Sequence, residues 1–320
     1  MSAVPGRALH YVFKIGDRGH NAFFFRSILG MQVLRHEEFK EGCNAECNGP
    51  YNNRWSKTMV GYGPESSHFV IELTYNYGVK SYELGNDFGG LTIRSSGVLA
   101  RAAEHDYPLN KEGDLNVLSS PDGYKFYIID EEEAEGNDPV KQVALNVTNL
   151  DASRKYWQEL LQMEPLEENG DKNSLVLRYD GQNGKQAALC LRKINEPLNR
   201  AQAYGRIAFA VPGSVQEPLH KAVKAAGGTI LKPLITLDTP GKATVSVLIL
   251  ADPDGHEICF VDEEGFGELS QVEPDGEKRL DKYIAKDPFQ SEAYGNVGDK
   301  KKEKDNSAEE DDVESKAEEH

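Results

Sequence analysis

Two stretches of this chain repeat the same order of strand, helix and hairpin at a separation of 132 residues, and that duplication constrains the fold more than any other feature. The first opens with Leu9-His10-Tyr11-Val12-Phe13-Lys14, which alternates like a half-buried strand. Asp17 is placed to cap the following helix, whose apolar face carries Phe24, Ile28 and Leu29. Gly30 suits the residue after that helix, because glycine enters the left-handed region without a steric cost. The second stretch opens with Val143-Ala144-Leu145-Asn146-Val147, and Asp151 is expected to cap a helix bearing Tyr156, Trp157, Leu160 and Leu161. Each stretch closes on a Pro-Asp-Gly turn, at Pro121 and again at Pro253. The strands after the turns run from Tyr124 to Ile129 and from His256 to Val261. One such turn means little, whereas two at the same offset as two strand–helix units mean duplication.

Each half divides again. New strands begin at Gly90-Leu91-Thr92-Ile93 and at Arg206-Ile207-Ala208-Phe209-Ala210-Val211. Helices should follow across Val98 to Glu104 and across Gln216 to Ala226, the latter ended by Gly227-Gly228. The pattern predicts an α+β protein of four small modules in two domains, residues 9–131 and 141–263. A short lead precedes them (residues 1–8) and an acidic, Gly- and Pro-containing linker joins them (132–140). A C-terminal extension (264–298) should hold a short helix from Asp281 to Lys286, with Phe289 and Tyr294 as anchors. Residues 299–320 are charged and small, which predicts disorder, and Lys300-Lys301-Lys302 reads as a solvated run among acids.

Composition narrows the function classes. A formal net charge of -17 opposes attraction to nucleic acid or to anionic membrane, and no apolar run approaches a membrane span. The N-terminus carries neither a signal peptide nor a transit peptide, so the default address is cytoplasmic, with a mitochondrial one as the alternative. The partner of the acidic tail is unassigned. Four cysteines, Cys43, Cys47, Cys190 and Cys259, without a secretory signal argue for reduced thiols. Cys43 and Cys47 have no zinc partners at a matching spacing, and Cys190 and Cys259 read as inert thiols in apolar strands.

The most specific stretch is Val60-Gly61-Tyr62-Gly63-Pro64-Glu65, followed by His68-Phe69-Val70-Ile71-Glu72-Leu73-Thr74-Tyr75-Asn76-Tyr77-Gly78-Val79. With the opening Leu-His strand, Leu29-Gly30-Met31, Tyr82-Glu83-Leu84-Gly85 and the Pro-Asp-Gly-Tyr-Lys hairpin, it resembles the glyoxalase I (lactoylglutathione lyase) family of the vicinal oxygen chelate superfamily. The resemblance covers nearly all of the first domain. In the second it rests mainly on the opening helix, the Gly-Arg-Ile-Ala strand and the Asp-Pro-Asp-Gly hairpin.

The resemblance implies tandem domains of paired βαβββ modules that form curled mixed sheets around a divalent metal, zinc or nickel. It implies isomerisation of the glutathione hemithioacetal of methylglyoxal, with a liganding carboxylate moving the proton. Carried over by position, the metal ligands in the first domain are His10 and Glu72, with Glu72 also the catalytic carboxylate. The third and fourth positions fall on Gly90 and Tyr127; in the second domain the four are Gln142, Cys190, Arg206 and Cys259. If the domains pair within the chain, one site collects His10, Glu72, Arg206 and Cys259, and the other collects Gln142, Cys190, Gly90 and Tyr127. The second set cannot hold a metal. In the first, Arg206 would repel a cation and is expected to pair with Glu72, leaving a substrate-binding site. Lys14 and Asn76 stand where the family contacts glutathione. Two classes of function follow: an enzyme of the lactoylglutathione lyase type, or a catalytically degenerate binding or scaffold protein that kept the pocket.

Overall fold

The structure, a computed structural model, describes residues 4–166, 172–179, 187–237 and 244–289. The expected disordered tail, Tyr294 and the Lys300–302 run lie outside the described residues.

Four βαβββ modules follow one another. The first is β1 (Arg7–Ile15), α1 (Arg18–Phe23, continued by a π-helical turn Phe24–Ile28), β2 (Gln32–Phe39), β3 (Trp55–Gly61) and β4 (Val70–Asn76). The second is β5 (Phe88–Arg94), α2 (Ser96–Glu104), β6 (Asn110–Glu112), β7 (Leu115–Ser119) and β8 (Lys125–Ile129). The third is β9 (Val140–Val147), α3 (Leu150–Arg154, continued by a π-helical turn Lys155–Leu160), β10 (Glu164–Pro165), β11 (Ser174–Arg178) and β12 (Ala188–Lys193). The fourth is β13 (Arg206–Val211), α4 (Gly213–Ala225), β14 (Thr229–Leu237), β15 (Val245–Ala251) and β16 (Glu257–Asp262). Two further helices, α5 (Glu263–Leu269) and α6 (Gly276–Ala285), complete the described chain.

The modules pair across the chain, first with fourth and second with third. One eight-stranded sheet runs β14-β15-β16-β13-β1-β4-β3-β2 and the other β10-β11-β12-β9-β5-β8-β7-β6. The two seams, β1 against β13 and β5 against β9, are both antiparallel. Intramolecular pairing is therefore the arrangement realised. Nearly all of the apolar core is one cluster, which joins Tyr11, Phe13 and Leu73 of the first sheet to Leu91, Phe126 and Leu145 of the second.

Local chemistry accounts for the element ends. Asp17 caps α1 by accepting from the His20 amide. Gly30 has φ +75° after the helical segment, in a space already filled by the Arg101 guanidinium. In the second domain the cap is Asn149 rather than Asp151, because the helix starts at Leu150 and Asn149 accepts from the amides of Asp151 and Ala152. Cys43 and Cys47 form a disulfide with their Cα atoms 5.4 Å apart, which corrects the expectation of four reduced thiols. A tight turn, with Glu46 in the left-handed region, brings the pair within bonding reach. No helix among the described residues is long and apolar enough to cross a membrane.

The described part of the C-terminal extension is held by charge more than by Phe289. Phe289 is 46% exposed, whereas Leu280 of α6 is buried. The guanidinium of Arg18, almost sealed from solvent, bonds Glu38 Oε1 at 2.7 Å, Asp287 Oδ2 at 2.7 Å and the Tyr283 carbonyl at 2.9 Å. It also lies against the faces of Tyr75 and Tyr77. The extension thereby docks on β2, where the Glu273 amide bonds the Leu34 carbonyl.

Candidate functional site

Strand register sets which side chains share the concave face of the first sheet. In one row Cys259, Ala208, His10 and Val70 are neighbours; in the next the order is Glu257, Arg206, Val12, Glu72, Met59 and Arg35. A bulge at Leu9, between Ala8 and His10, lets both Leu9 and His10 face this side. His10 and Glu72 do meet: Nε2 of the imidazole stands 3.7 Å from Glu72 Oε2. The other carboxylate oxygen accepts from the Thr74 hydroxyl at 3.3 Å.

Behind His10 lies Glu65, a residue of the motif stretch to which the sequence assigns no role. Glu65 is wholly buried, and its Oε1 is 2.6 Å from His10 Nδ1 while its Oε2 accepts from Arg35 Nη1 at 2.9 Å. Burial pushes the Glu65 carboxyl up, but Arg35 and His10 outweigh it and hold the group below the ordinary glutamate range. Lys57 is bonded to Glu37 at 3.2 Å; burial opposes its charge, and Glu37 together with Glu72 more than restores it.

Arg206 does not pair with Glu72. It donates to Glu257 Oε2 at 2.7 and 2.9 Å and to the carbonyls of Ala45 and Glu46, clamping the disulfide loop over the sheet. Register gives the reason. Neighbouring strands lie about 4.8 Å apart, so Glu257 on the adjacent strand is in reach while Glu72 is a second strand away, beyond Val12. Cys259 shares the face, and burial raises its thiol to about 11 against the pull of Arg206, which keeps it protonated near neutral pH.

A cavity of about 290 Å³ opens beside these groups. Its lining combines the charged Arg35, Glu37, Lys57 and Arg206 with the apolar Val247, Ile249, Val261 and Phe266. Phe266 comes from α5, a helix in the region where the sequence pattern loosens; Asp262 caps it by accepting from the Gly265 amide. The Phe266 ring is 6.1 Å from the His10 ring, so α5 covers the buried end of the site.

The donor set does not fit a catalytic divalent cation such as zinc or nickel. His10 and Glu72 supply two ligands, the third position holds a guanidinium and the fourth a protonated thiol. Among the described residues no group of three His, Cys, Asp or Glu side chains is arranged to hold a metal ion.

Lys14 and Asn76 are committed within the chain. Lys14 donates to the carbonyls of Gln202 and Tyr204, at 3.2 and 2.7 Å, with Nζ over the Tyr204 ring. Asn76, fully buried, exchanges hydrogen bonds with Asn48 and donates to the Tyr82 hydroxyl. A bound carboxylate must displace one of these sets to reach either residue. Burial lowers the Lys14 pKa from 10.5 to about 7. A lysine that is neutral when folded and charged when unfolded binds fewer protons in the native state, so stability should rise as pH climbs from about 7 to 10. Urea midpoints at pH 7 and 9 should show that rise in the native protein and a smaller one in Lys14→Met.

The second sheet carries the equivalent face, and register places Gln142, Cys190, Gly90 and Tyr127 where the first has His10, Glu72, Arg206 and Cys259. Gly90 has φ +117°, and a Cβ there would fall 2.3 Å from the Tyr127 ring. The ring occupies the space of a third ligand, its hydroxyl bonded to Glu112 and Arg192 beside its face.

The family profile described as glyoxalase domain-containing protein 4-like, C-terminal domain, matches residues 149–269. A curated rat protein, "Glyoxalase domain-containing protein 4", is 51% identical over 89% of this chain and 94% of its own length. "Glyoxalase 1" of Caenorhabditis elegans is 46% identical over 89% of this chain and 98% of its own. Among solved structures, glyoxalase I from Zea mays superposes with a TM-score of 0.63 at 25% identity, covering 82% of this chain and 94% of that one.

Proposed function

Because this chain belongs to the glyoxalase family, we propose that the first sheet's cavity binds glutathione conjugates of small dicarbonyls such as methylglyoxal and moves a proton between their adjacent carbons. The observation that carries this reading is the meeting of His10 Nε2 and Glu72 Oε2, 3.7 Å apart, on the sheet face where Arg206 and Cys259 of the adjoining strands line the cavity. An imidazole and a carboxylate both have the chemistry to take and return a proton. The apolar lining of Val247, Ile249 and Val261 suits the small carbon skeleton, and Arg35, Lys57 and Arg206, each already paired with a glutamate, line the same cavity as donors for a carboxylate-bearing tripeptide. A plant relative bears the name "Probable lactoylglutathione lyase, chloroplastic", at 31% identity.

The test is formation of S-lactoylglutathione from methylglyoxal and glutathione by the full chain, with and without added zinc or nickel. His10→Ala and Glu72→Gln should each lower kcat by on the order of a hundredfold or more. The donor set favours a second reading, a binder that kept the fold but lost turnover. That reading prevails if no lactoylglutathione forms under any metal condition while calorimetry still detects the glutathione conjugate and Glu72→Gln weakens it.

A further inference from the structure

The loop between β2 and β3 brings a disulfide to the cavity wall: Cys43 and Cys47, bonded to each other, both line the space of about 290 Å³. Polar contacts hold this loop independently of the S–S bond. The Asn48 side chain accepts from the Cys43 amide at 3.2 Å and donates to the Tyr51 carbonyl and to Asn76. Arg206 donates to the carbonyls of Ala45 and Glu46, and Lys232 pairs with Glu46 at 2.8 Å. These contacts survive if the S–S bond opens. The disulfide closes a sequence separation of only 4, and a cross-link over so short a span removes little entropy from the unfolded chain. A disulfide that faces open space and carries little of its loop's stability is the kind that exchanges with small thiols.

We propose that this disulfide is a thiol-exchange site, at which a low-molecular-weight thiol entering the cavity is captured on Cys43 as a mixed disulfide, with Cys47 as the leaving sulfur. This goes beyond the function proposed above and does not rest on it. The incoming thiolate attacks Cys43 Sγ and the Cys43–Cys47 bond breaks. Cys47 departs with the bonding electron pair and takes a proton from solvent. One S–S bond replaces another, so no oxidant is consumed. The reverse attack, by Cys47 on Cys43, expels the thiol and closes the ring again. The surroundings decide which sulfur leaves, because the one better stabilised as a thiolate departs faster. Cys47 borders, besides the cavity, a narrow cleft that it shares with Arg206, Glu46 and Glu257. Lys232 pairs with Glu46 there, while Arg200 and Arg206 both bond Glu257, so three cations stand against two acids. Arg206 is also fixed on the carbonyl of Glu46, the residue before Cys47. Cys43 faces the cavity, where the thiol arrives, and the captured group then occupies that space.

The experiment uses the full chain, purified in air without reductant. Alkylation of the unfolded chain before reduction should modify Cys190 and Cys259 alone, and after reduction Cys43 and Cys47 as well. Alkylation of Cys43 and Cys47 before reduction overturns the proposal. The native chain is then exposed to 2-mercaptoethanol, trapped with N-ethylmaleimide and mapped by peptide mass spectrometry at acid pH. The expected product carries the thiol on Cys43 and the maleimide on Cys47, exceeding the opposite isomer on the order of fivefold or more. A disulfide-closed peptide of residues 39–51, which lacks Arg200, Arg206 and Lys232, should give the two isomers in nearly equal amounts. Equal isomers in the native chain, an excess on Cys47, or no adduct while the peptide reacts each overturn the proposal. The trapped product should also keep nearly the urea midpoint of the starting chain. A large fall would show that the disulfide holds the fold, and would overturn it too.

Discussion

Expressed separately, residues 1–139 and 140–289 should each fail to give a stable monomer, and mixing them should restore the native fold. The first fragment contains β1 to β8 and the second β9 to β16, so each contributes one four-stranded module to each sheet. Separation bares the seam edges of β1, β5, β9 and β13 together with the apolar faces that meet across them. Tyr11 and Phe13 belong to the same core as Phe209 and Phe260, so half of that core is lost to each fragment. The lone fragments should self-pair or aggregate, read by sedimentation. The mixture should recover the far-ultraviolet spectrum and the urea midpoint of a chain ending at residue 289. Cooperative unfolding of a monomeric 1–139 fragment would contradict the crossed pairing.

The second large effect is expected at Arg18. Arg18→Met leaves Glu38 and Asp287 facing each other without the cation between them, and strips a donor from the Tyr283 carbonyl. Breaking a buried ion pair by removing one partner costs about 3–5 kcal/mol, because the remaining charge stays desolvated. The loss should appear as a lower denaturant midpoint, and hydrogen exchange should locate it in α6 and its contact with β2. Adding Asp287→Asn to Arg18→Met removes the charge left without its cation and should recover part of the loss, whereas Glu38 keeps Arg54 and the Tyr77 hydroxyl. If exchange in residues 276–285 is unchanged, the ion cluster does not hold the extension.

Much of the fold was legible in the sequence, for physical reasons. The paired Pro-Asp-Gly turns, the opening strands and the caps are local signals, and local signals survive in the structure at Asp17, Gly30 and both hairpins. Boundaries drifted where a neighbouring residue had an equally good side chain, as at Asn149 against Asp151. The helix α5 was hidden because Gly265 and Gly267 lower its intrinsic propensity, and its stability comes from laying Phe266 on the sheet. The motif singled out His10 and Glu72, which lie together on the sheet, whereas Glu65, which touches His10, and Arg35, which touches Glu65, come from positions 55 and 25 residues away from His10 in sequence. No spacing rule connects them; only the folded sheet does. The expected Arg206–Glu72 pair failed for the same reason, since strand order, which local pattern cannot give, placed Glu257 nearer.

The crossing of modules has a consequence for descent. A duplicated gene ordinarily leaves one copy at liberty to drift, but here neither copy is a spare, because each supplies a wall to the other's workplace. Tyr127 lies over Gly90 and fills that face, yet the strands beneath it still frame the shared interior. One face can therefore change its side chains freely, while neither half can be removed without opening both sheets.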